Sequence, residues 1–495
     1  MGKVLRTAYA TYPTVKLQGY KTDAKTGEKK FGFIKELLFG DYMRPYIENG
    51  DYVRLKVGGK EYVKIRCRNA DGYILESEMQ EERPLEVNFV DVGQGDGCHI
   101  VTPDDKHFIV DAGEGDNMYR FLKWRFNLKT AKTPPPPFTI VMSHPDQDHY
   151  AGFTKLFTQT KGTAQQFKFD KVYHNGIVGV PGKGLDALGR IVMHNGQKYV
   201  TDLVEDDKDF EACVKKGGNG NFLRLLKKTT ASKQALHLGS DPIYKNDKFD
   251  LTMDILGPVS ETIDGRTAIP VYGSSDVGKT KNGNSVVIKL TMGHLRMLLG
   301  GDLNTESEYM LIKRFSGIDI KQLKDDLGKA KLTAEEKQKI TEKIDEAILQ
   351  ARNTLEVDIA KSCHHGSADF SSEFLRAINP IATVISSGDE EPHTHPRPDT
   401  LGTIGKHSRG DRSLIFSTEL ARSGKEFVEL DKIKNTEKKK ERAVTVYGMI
   451  NVRTDGNRVI IAQKLEAAAV GRNWDVHKLE WNEKTKQFDY LCKYE

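Results

Sequence analysis

The stretch Phe138-Thr139-Ile140-Val141-Met142, followed by Ser143-His144-Pro145-Asp146-Gln147-Asp148-His149, sets four metal-binding side chains within six consecutive positions directly behind an apolar run. In an extended segment leaving a strand, residues two apart point the same way. His144 and Asp146 can therefore converge on one ion, while Asp148 and His149, around the next turn, reach a second. Imidazole and carboxylate both suit zinc, and the high carboxylate share also tolerates a harder ion such as manganese. The competing reading is a polar loop whose Asp and His cap the following helix. Capping needs one such residue, and this loop has four.

The chain supplies partners for the loop in a fixed order. Upstream, Val87-Asn88-Phe89-Val90 runs into Asp91-Val92-Gly93-Gln94-Gly95-Asp96, and Phe108-Ile109-Val110 ends in Asp111-Ala112-Gly113. Both read as short buried strands closed by an acidic, glycine-containing turn. Downstream, Ser285 to Leu290 and Leu295 to Leu299 read as a hairpin whose second strand delivers Gly300-Gly301-Asp302, a carboxylate placed to bridge two ions. Ile359 to Cys363 then leads to His364-His365-Gly366-Ser367, and Ala382 to Ser387 leads to a loop carrying His393 and His395-Pro396.

In this order, Asp-Val-Gly-Gln-Gly-Asp, Val-Asp-Ala-Gly, Ser-His-Pro-Asp-Gln-Asp-His, Gly-Gly-Asp-Leu, His-His-Gly-Ser and His-Pro-x-Pro resemble the metallo-β-lactamase fold, and within it the ComEC-like competence branch. The resemblance spans roughly residues 86 to 465, with insertions. It implies an α/β fold, a four-layer αβ/βα sandwich with metals at the strand ends between two sheets. It also implies that His144 and Asp146 hold one ion, that Asp148, His149 and His365 hold the other, and that Asp302 bridges them. His364 then becomes a candidate proton donor, His395 a further ligand or phosphate contact, and Asp111 a residue orienting the ligand loop.

One departure concerns position 146. The commonest loop of the wider superfamily is His-x-His-x-Asp-His, whereas this chain has Asp146, as the ComEC-like branch tends to have. A carboxylate in place of a neutral imidazole hardens the site, which leaves zinc and manganese both open. No clear histidine stands between the loop and Asp302 where many relatives have one. His174 is the nearest, to be weighed against a hydrogen-bonded core histidine. Cys363 is read as a buried strand residue rather than a ligand.

Length and composition fit an enzyme of this kind. At 495 residues the chain is too long for one ordinary core. The formal charge of +5 permits nucleic-acid binding without requiring it. Five scattered cysteines with no Cys-x-x-Cys pair argue against a disulfide framework or a zinc knuckle and for a reducing compartment. No segment approaches the roughly 18 apolar residues of a membrane span, and the amino terminus lacks a signal-peptide h-region, so a soluble, cytoplasmic protein is expected.

Residues 1 to 84 alternate apolar and polar positions, as in Tyr52 to Val57, Glu61 to Cys67 and Asp71 to Glu76, with turns expected at Gly58-Gly59 and Asp71-Gly72. They resemble an SH3-like barrel, which is either a docking module for a protein partner or a structural cap. The hydrolase would occupy 85 to 495, interrupted by a Gly- and Lys-rich insertion at about 177 to 280 and a helical one at 317 to 356. In the second, Thr333-Ala334-Glu335-Glu336 forms a capping box, and Ile340, Ile344, Ala347, Ile348 and Ala351 make one apolar stripe. With Ile320, Leu323 and Leu327 this predicts a helical hairpin whose stripe buries against its own partner, a homodimer contact being the alternative. After His395, the segments Ser413 to Thr418, Val444 to Val452 and Val459 to Ala462 are expected to finish the second sheet. Lys438-Lys439-Lys440 reads as a solvated hairpin tip, because no aromatic residues are interleaved with it.

Two cations about 3.5 to 4 Å apart bring the pKa of a bound water toward neutrality, and two positive charges match the anionic oxygens of a phosphodiester. His364 or His395, near an ordinary imidazole pKa, could protonate the leaving alkoxide. The expected activity is that of a metal-dependent phosphodiesterase, foremost a nuclease on DNA or RNA. The alternative is a hydrolase of a small substrate, such as a cyclic nucleotide, a phosphocholine ester, a lactam or a thioester.

Overall fold

The computed structural model describes residues 4–23, 26–128, 133–158, 167–329, 331–388, 394–419, 449–469 and 471–491. Two large sheets face each other. Among the described residues the first has ten strands and the second seven, the first in the order Ser232–Ala235, Phe169–His174, Phe138–Val141, His107–Ala112, Gly97–Val101, Leu85–Val90, Met449–Thr454, Arg458–Ala469, Arg472–Asn482 and Gln487–Leu491. The second runs in the order Tyr244–Asn246, Leu251–Gly257, Val287–Met292, Leu295–Leu299, Ile359–Lys361, Ala382–Ile385 and Leu414–Ser417.

Side chains alternate across each strand, so one set fills the space between the sheets and the other meets helices outside. Val87, Phe89 and Ile100 of the first sheet pack on Ile288, Met297 and Val384 of the second. On the outer faces, Ile109, Ile140 and Val172 pack with Phe121, Phe153 and Leu223, while Val287, Leu298 and Ala360 pack with Leu311, Ile348 and Phe374. The result is four layers: helix, sheet, sheet, helix. Burial on both faces is why these strands read as near-continuous apolar runs.

Strand direction positions the site. His107–Ala112, Phe138–Val141 and Phe169–His174 run parallel, as do Leu295–Leu299, Ile359–Lys361 and Ala382–Ile385. Parallel neighbours send their carboxyl-terminal loops to one edge, where open α/β sheets carry their chemistry.

Several expectations change. Met449–Thr454 and Arg458–Ala469 join the first sheet rather than finishing the second, because Leu85–Val90 offers a free edge that Met449–Thr454 pairs along its whole length. Leu414–Ser417 does close the second sheet. Residues 177–280 are not one insertion: Ser232–Ala235 extends the first sheet and Leu251–Gly257 lies inside the second. Only the small sheet of Arg190–His194, Gln197–Thr201, Arg266–Pro270 and Glu261–Ile263 stands apart. His393, Lys438-Lys439-Lys440 and 444–448 lie outside the described residues.

The capping box of Thr333 and Glu336 opens the helix Ala334–Leu355. Its stripe is buried within the chain, but not against a hairpin partner alone. Ile344, Ala347, Ile348 and Ala351 also meet the sheet and the helices Thr305–Ser316 and Ser372–Ile378.

The strands from Ala8 to Gln80 pair only with one another and enclose a separate core of Val15, Leu17, Leu37, Val63, Ile65 and Ile74. The hairpin Arg54–Val57 with Lys60–Cys67 turns at Gly58-Gly59 as expected, both glycines having positive φ. The next turn is Arg68-Asn69, not Asp71-Gly72: Cys67 pairs with Ala70, and Arg68 adopts φ 53°. Gly72 instead lies within the strand Ala70–Ile74, where a Cβ would come within 2.6 Å of the Gln18 carbonyl oxygen. Among the described residues the sheet does not close into a barrel, its ends Met79–Gln80 and Lys29–Leu38 being unpaired with each other. Leu38 and Phe39 pack on Ile460 and Ala462 of the ten-stranded sheet.

Ile348 is 1% exposed and its neighbour Leu349 is 59% exposed. Ile348→Ala should lower unfolding free energy by about 2–5 kcal/mol and Leu349→Ala by no more than about 0.5 kcal/mol, as read by urea denaturation. Equal costs would contradict this placement of the helix.

Candidate metal centre

The loop after Phe138–Val141 turns directly into the short helix Gln147–Tyr150. Asp146 occupies the position before that helix, yet its side chain makes no capping bond. It pairs instead with Lys281, and the Asn282 amide, correctly oriented, donates to its other oxygen at 2.8 Å. Helix capping therefore does not explain the loop.

Asp302 is the hub. Its Oδ2 lies 3.2 Å from His149 Nε2, 3.2 Å from His365 Nε2 and 4.0 Å from His144 Nε2. Asp148 stands 3.9 Å from His149 Nε2 and 3.7 Å from His365 Nε2. One ligand atom from each of Asp148, His149, Asp302 and His365 falls within 4.8 Å of the others. His144 Nε2 is 3.7 Å from Asp146 Oδ2. The fold brings together residues that are up to 221 positions apart in the chain (365 − 144).

Backbone geometry permits the approach. Gly301 has φ 57°, and a Cβ there would lie 2.7 Å from the Ser285 side chain; a Cβ on Gly300 would meet Cys363 Sγ at 2.6 Å. The Asp302 N–H donates to Ser285 Oγ at 3.0 Å, and the Val286 N–H donates to the Ser143 carbonyl at 2.8 Å, tying the two sheets together beside the site. Gly95, at φ 101°, presses against the Asp148 carbonyl, which a Cβ would overlap at 1.6 Å.

Each inward imidazole has its Nδ1 engaged from behind. His149 Nδ1 is 2.9 Å from Asp111 Oδ2, and the same Asp111 accepts from the Ser143 N–H and hydroxyl at 2.7 and 2.6 Å. His365 Nδ1 is 3.0 Å from the Ser386 carbonyl and 3.1 Å from Asp96 Oδ1. His144 Nδ1 is 3.0 Å from Ser143 Oγ and 3.2 Å from Ser285 Oγ. Such partners fix the tautomer and leave Nε2 as the ligand atom. His149 Nε2, His365 Nε2 and Asp302 Oδ1 are buried without a hydrogen-bond partner among the described residues. Buried polar atoms ordinarily have partners, so this donor set fits divalent metal ions.

Electrostatics agrees. Burial alone would raise the Asp302 carboxyl, but charge on His149, His365 and His364 holds it well below its ordinary range. Burial opposes charge on His149 and His365, yet the carboxylates around them win, raising His149 well above its ordinary value and His365 to about 10. Burial and the neighbouring His149 push His144 well below.

Other expected residues stand outside the four-residue group. His364, with φ 49°, has its ring centre 6.3 Å from that of His365. Burial, the largest effect, lowers its pKa from the ordinary imidazole value. The His395 ring lies 5.6 Å from His364 and 6.4 Å from His365. His174 is a core residue: it is fully buried, accepts from the Gly176 N–H at 3.0 Å, and is pushed down to about 4 by burial. Cys363 lies past its strand, in a short 3-10 turn, facing Gly300.

Three residues had no role in the sequence reading. Asp96 closes the quoted glycine turn and pairs with Lys361, whose ammonium also donates to the Gly301 carbonyl at 2.8 Å. A lone lysine in the otherwise apolar Ile359–Lys361 was the available signal. Lys281 had none, because its segment is merely rich in glycine and lysine.

No protein-family model matches this sequence, and no curated protein does. Among solved structures, the chain aligns with a metallo hydrolase from the hyperthermophilic archaeon Ignicoccus hospitalis KIN4/I at 10% identity and TM-score 0.31, covering 68% of this chain and 95% of that one. It aligns with a protein described as a metal-dependent hydrolase from Parabacteroides distasonis ATCC 8503 at 10% identity and TM-score 0.27, covering 74% and 98%. Likeness at this level carries no weight for fold or activity.

In the metal-free protein His149 and His365 hold protons that a metal must displace. Affinity for a divalent ion should therefore rise with pH as it approaches about 10, where His365 loses its proton unaided, by about tenfold per pH unit for each proton released. Calorimetry in buffers of different ionisation enthalpy counts those protons; release of none between pH 6 and 9 would contradict the assignment.

Proposed function

We propose that this chain is a metal-dependent hydrolase of the metallo-β-lactamase fold, in its ComEC-like branch, that cleaves phosphodiester bonds, with DNA or RNA as substrate. The observation that carries the reading is the convergence of three imidazole Nε2 atoms on one oxygen of Asp302, each imidazole braced through Nδ1. In this reading Asp148, His149, Asp302 and His365 hold one divalent ion, and His144, Asp146 and Asp302 hold a second, zinc or manganese. Divalent cations there would supply Lewis acidity, lowering the pKa of water and neutralising charge on phosphoryl oxygens.

The protein's own groups do the rest. Asp111 and Asp96 keep His149 and His365 turned inward. Lys281, which pairs with Asp146 here, would be released if Asp146 held an ion and could then offer its ammonium to a non-bridging phosphate oxygen. His364, beside His365, accepts and passes on a proton, and we assign His395 as the donor to the leaving alkoxide. Residues 1–84 act as a module seated on the hydrolase at 85–495, their resemblance to SH3-like domains leaving a protein partner as a further proposal.

Purified protein with manganese or zinc, incubated with single- and double-stranded DNA, RNA and bis-p-nitrophenyl phosphate, should hydrolyse at least one of them. Hydrolysis of none with metal bound would overturn the phosphodiesterase reading. Asp148→Ala and Asp302→Ala should abolish turnover with the fold intact by circular dichroism, and Asp111→Asn should cost about 10- to 100-fold in metal affinity or activity. Lys281→Met should tighten the second ion in a metal titration, since it removes a cation that competes for Asp146; unchanged stoichiometry and affinity would show that Lys281 does not compete.

A further inference from the structure

Where the amino-terminal module meets the hydrolase lies a cavity of about 330 Å³, ringed by Arg44, Arg66, Arg68, Arg83 and Arg125. It is distinct from the metal centre. Glu86, in its wall, lies near the start of Leu85–Val90, whereas Asp91 and the metal-site loops follow the other end of that strand, about 15 Å away at 3.3 Å per residue.

The charges do not balance. Arg125 is matched by Glu86 through two hydrogen bonds of 2.6 and 2.8 Å, Arg83 by Asp105, and Arg66 by Asp71 at 3.5 Å. Asp41, also in the wall, is taken by Arg453 at 2.9 Å. Arg44 and Arg68, both exposed, have no carboxylate within ion-pair distance among the described residues; Arg68 acts on Asp41 from farther off, helping to lower its pKa, and lies over the Trp124 ring at 4.2 Å. Like charges crowd here: burial first, then Arg68 and Arg453, lowers the pKa of Arg125 against the pull of Glu86. Tyr42 lines the same cavity and is 43% exposed. Two guanidiniums without a direct ion pair suit a phosphoryl dianion, since each offers a planar fork of donors. The volume lies at the small end of the range for ligand pockets, and an exposed phenol ring offers a face to a base.

We propose that this seam cavity binds a phosphate-bearing ligand of nucleotide size, its phosphates held by Arg44 and Arg68. Because strands of the module and of the hydrolase both wall the cavity, the ligand clamps the two parts together.

The test is calorimetric titration of the full chain with pyrophosphate, ADP, adenosine and a single-stranded oligonucleotide, in wild type and in the double variant Arg44→Ala/Arg68→Asn. Asparagine tolerates the left-handed backbone at 68. Pyrophosphate and ADP should bind wild type, weaken as salt rises, and lose about tenfold in affinity per guanidinium removed, while adenosine does not bind. ADP binding more tightly than pyrophosphate supports a ligand of nucleotide size; equal or weaker binding of ADP would overturn that size. Dissociation constants above about 1 mM, affinity unchanged in a double variant that keeps the wild-type circular dichroism spectrum, or binding of the oligonucleotide alone would overturn the proposal. Retained binding in the double variant would assign the phosphate to the metal centre, which leaves the hydrolase reading untouched.

Discussion

A carboxylate buried among three imidazoles is the constraint on which the rest of this structure turns. Removing Asp302 from water is costly unless its charge is matched at close range. The protein meets that requirement from two sheets at once: His144 and His149 follow a strand of the first, while Asp302 and His365 follow strands of the second. The Ser143 carbonyl bonded to the Val286 N–H, and Ser285 bonded to Asp302, hold these edges in register. Gly301 is where a side chain would force them apart, since a Cβ there would meet Ser285 at 2.7 Å and Ser143 at 3.0 Å.

Behind the inward atoms stands a second ring of charge. Asp111 braces His149, Asp96 braces His365, and the buried Lys361 balances Asp96 while donating to the backbone that presents Asp302. Cations at the centre would take the place of the protons on His149 and His365, leaving both rings neutral. The proton load on His149 and His365 is the metal-free counterpart of that charge, and it ties metal affinity to pH.

The amino-terminal module joins the same economy of buried charge at the opposite end of the first sheet. Arg453, on the strand Met449–Thr454, reaches both Asp41 of the module and Glu86 of the ten-stranded sheet. Removing the module would strand these groups, which makes it part of the folded unit in energetic terms whatever else it binds.

The sequence by itself determined the local parts: the strands before each acidic turn, the capping box at Thr333, the Gly58-Gly59 turn and the ligand-type side chains from His144 to His365. These are set by short-range preferences and by apolar runs that must be buried. Tertiary structure alone decided which partners those parts found. It paired Met449–Thr454 with Leu85–Val90 across more than 350 residues (449 − 90 = 359), set Lys281 against Asp146, moved one turn to Arg68-Asn69, and lowered His364 by burying it. Pairing of edges, desolvation and charge depend on distances in space, and spacing along the chain does not encode them.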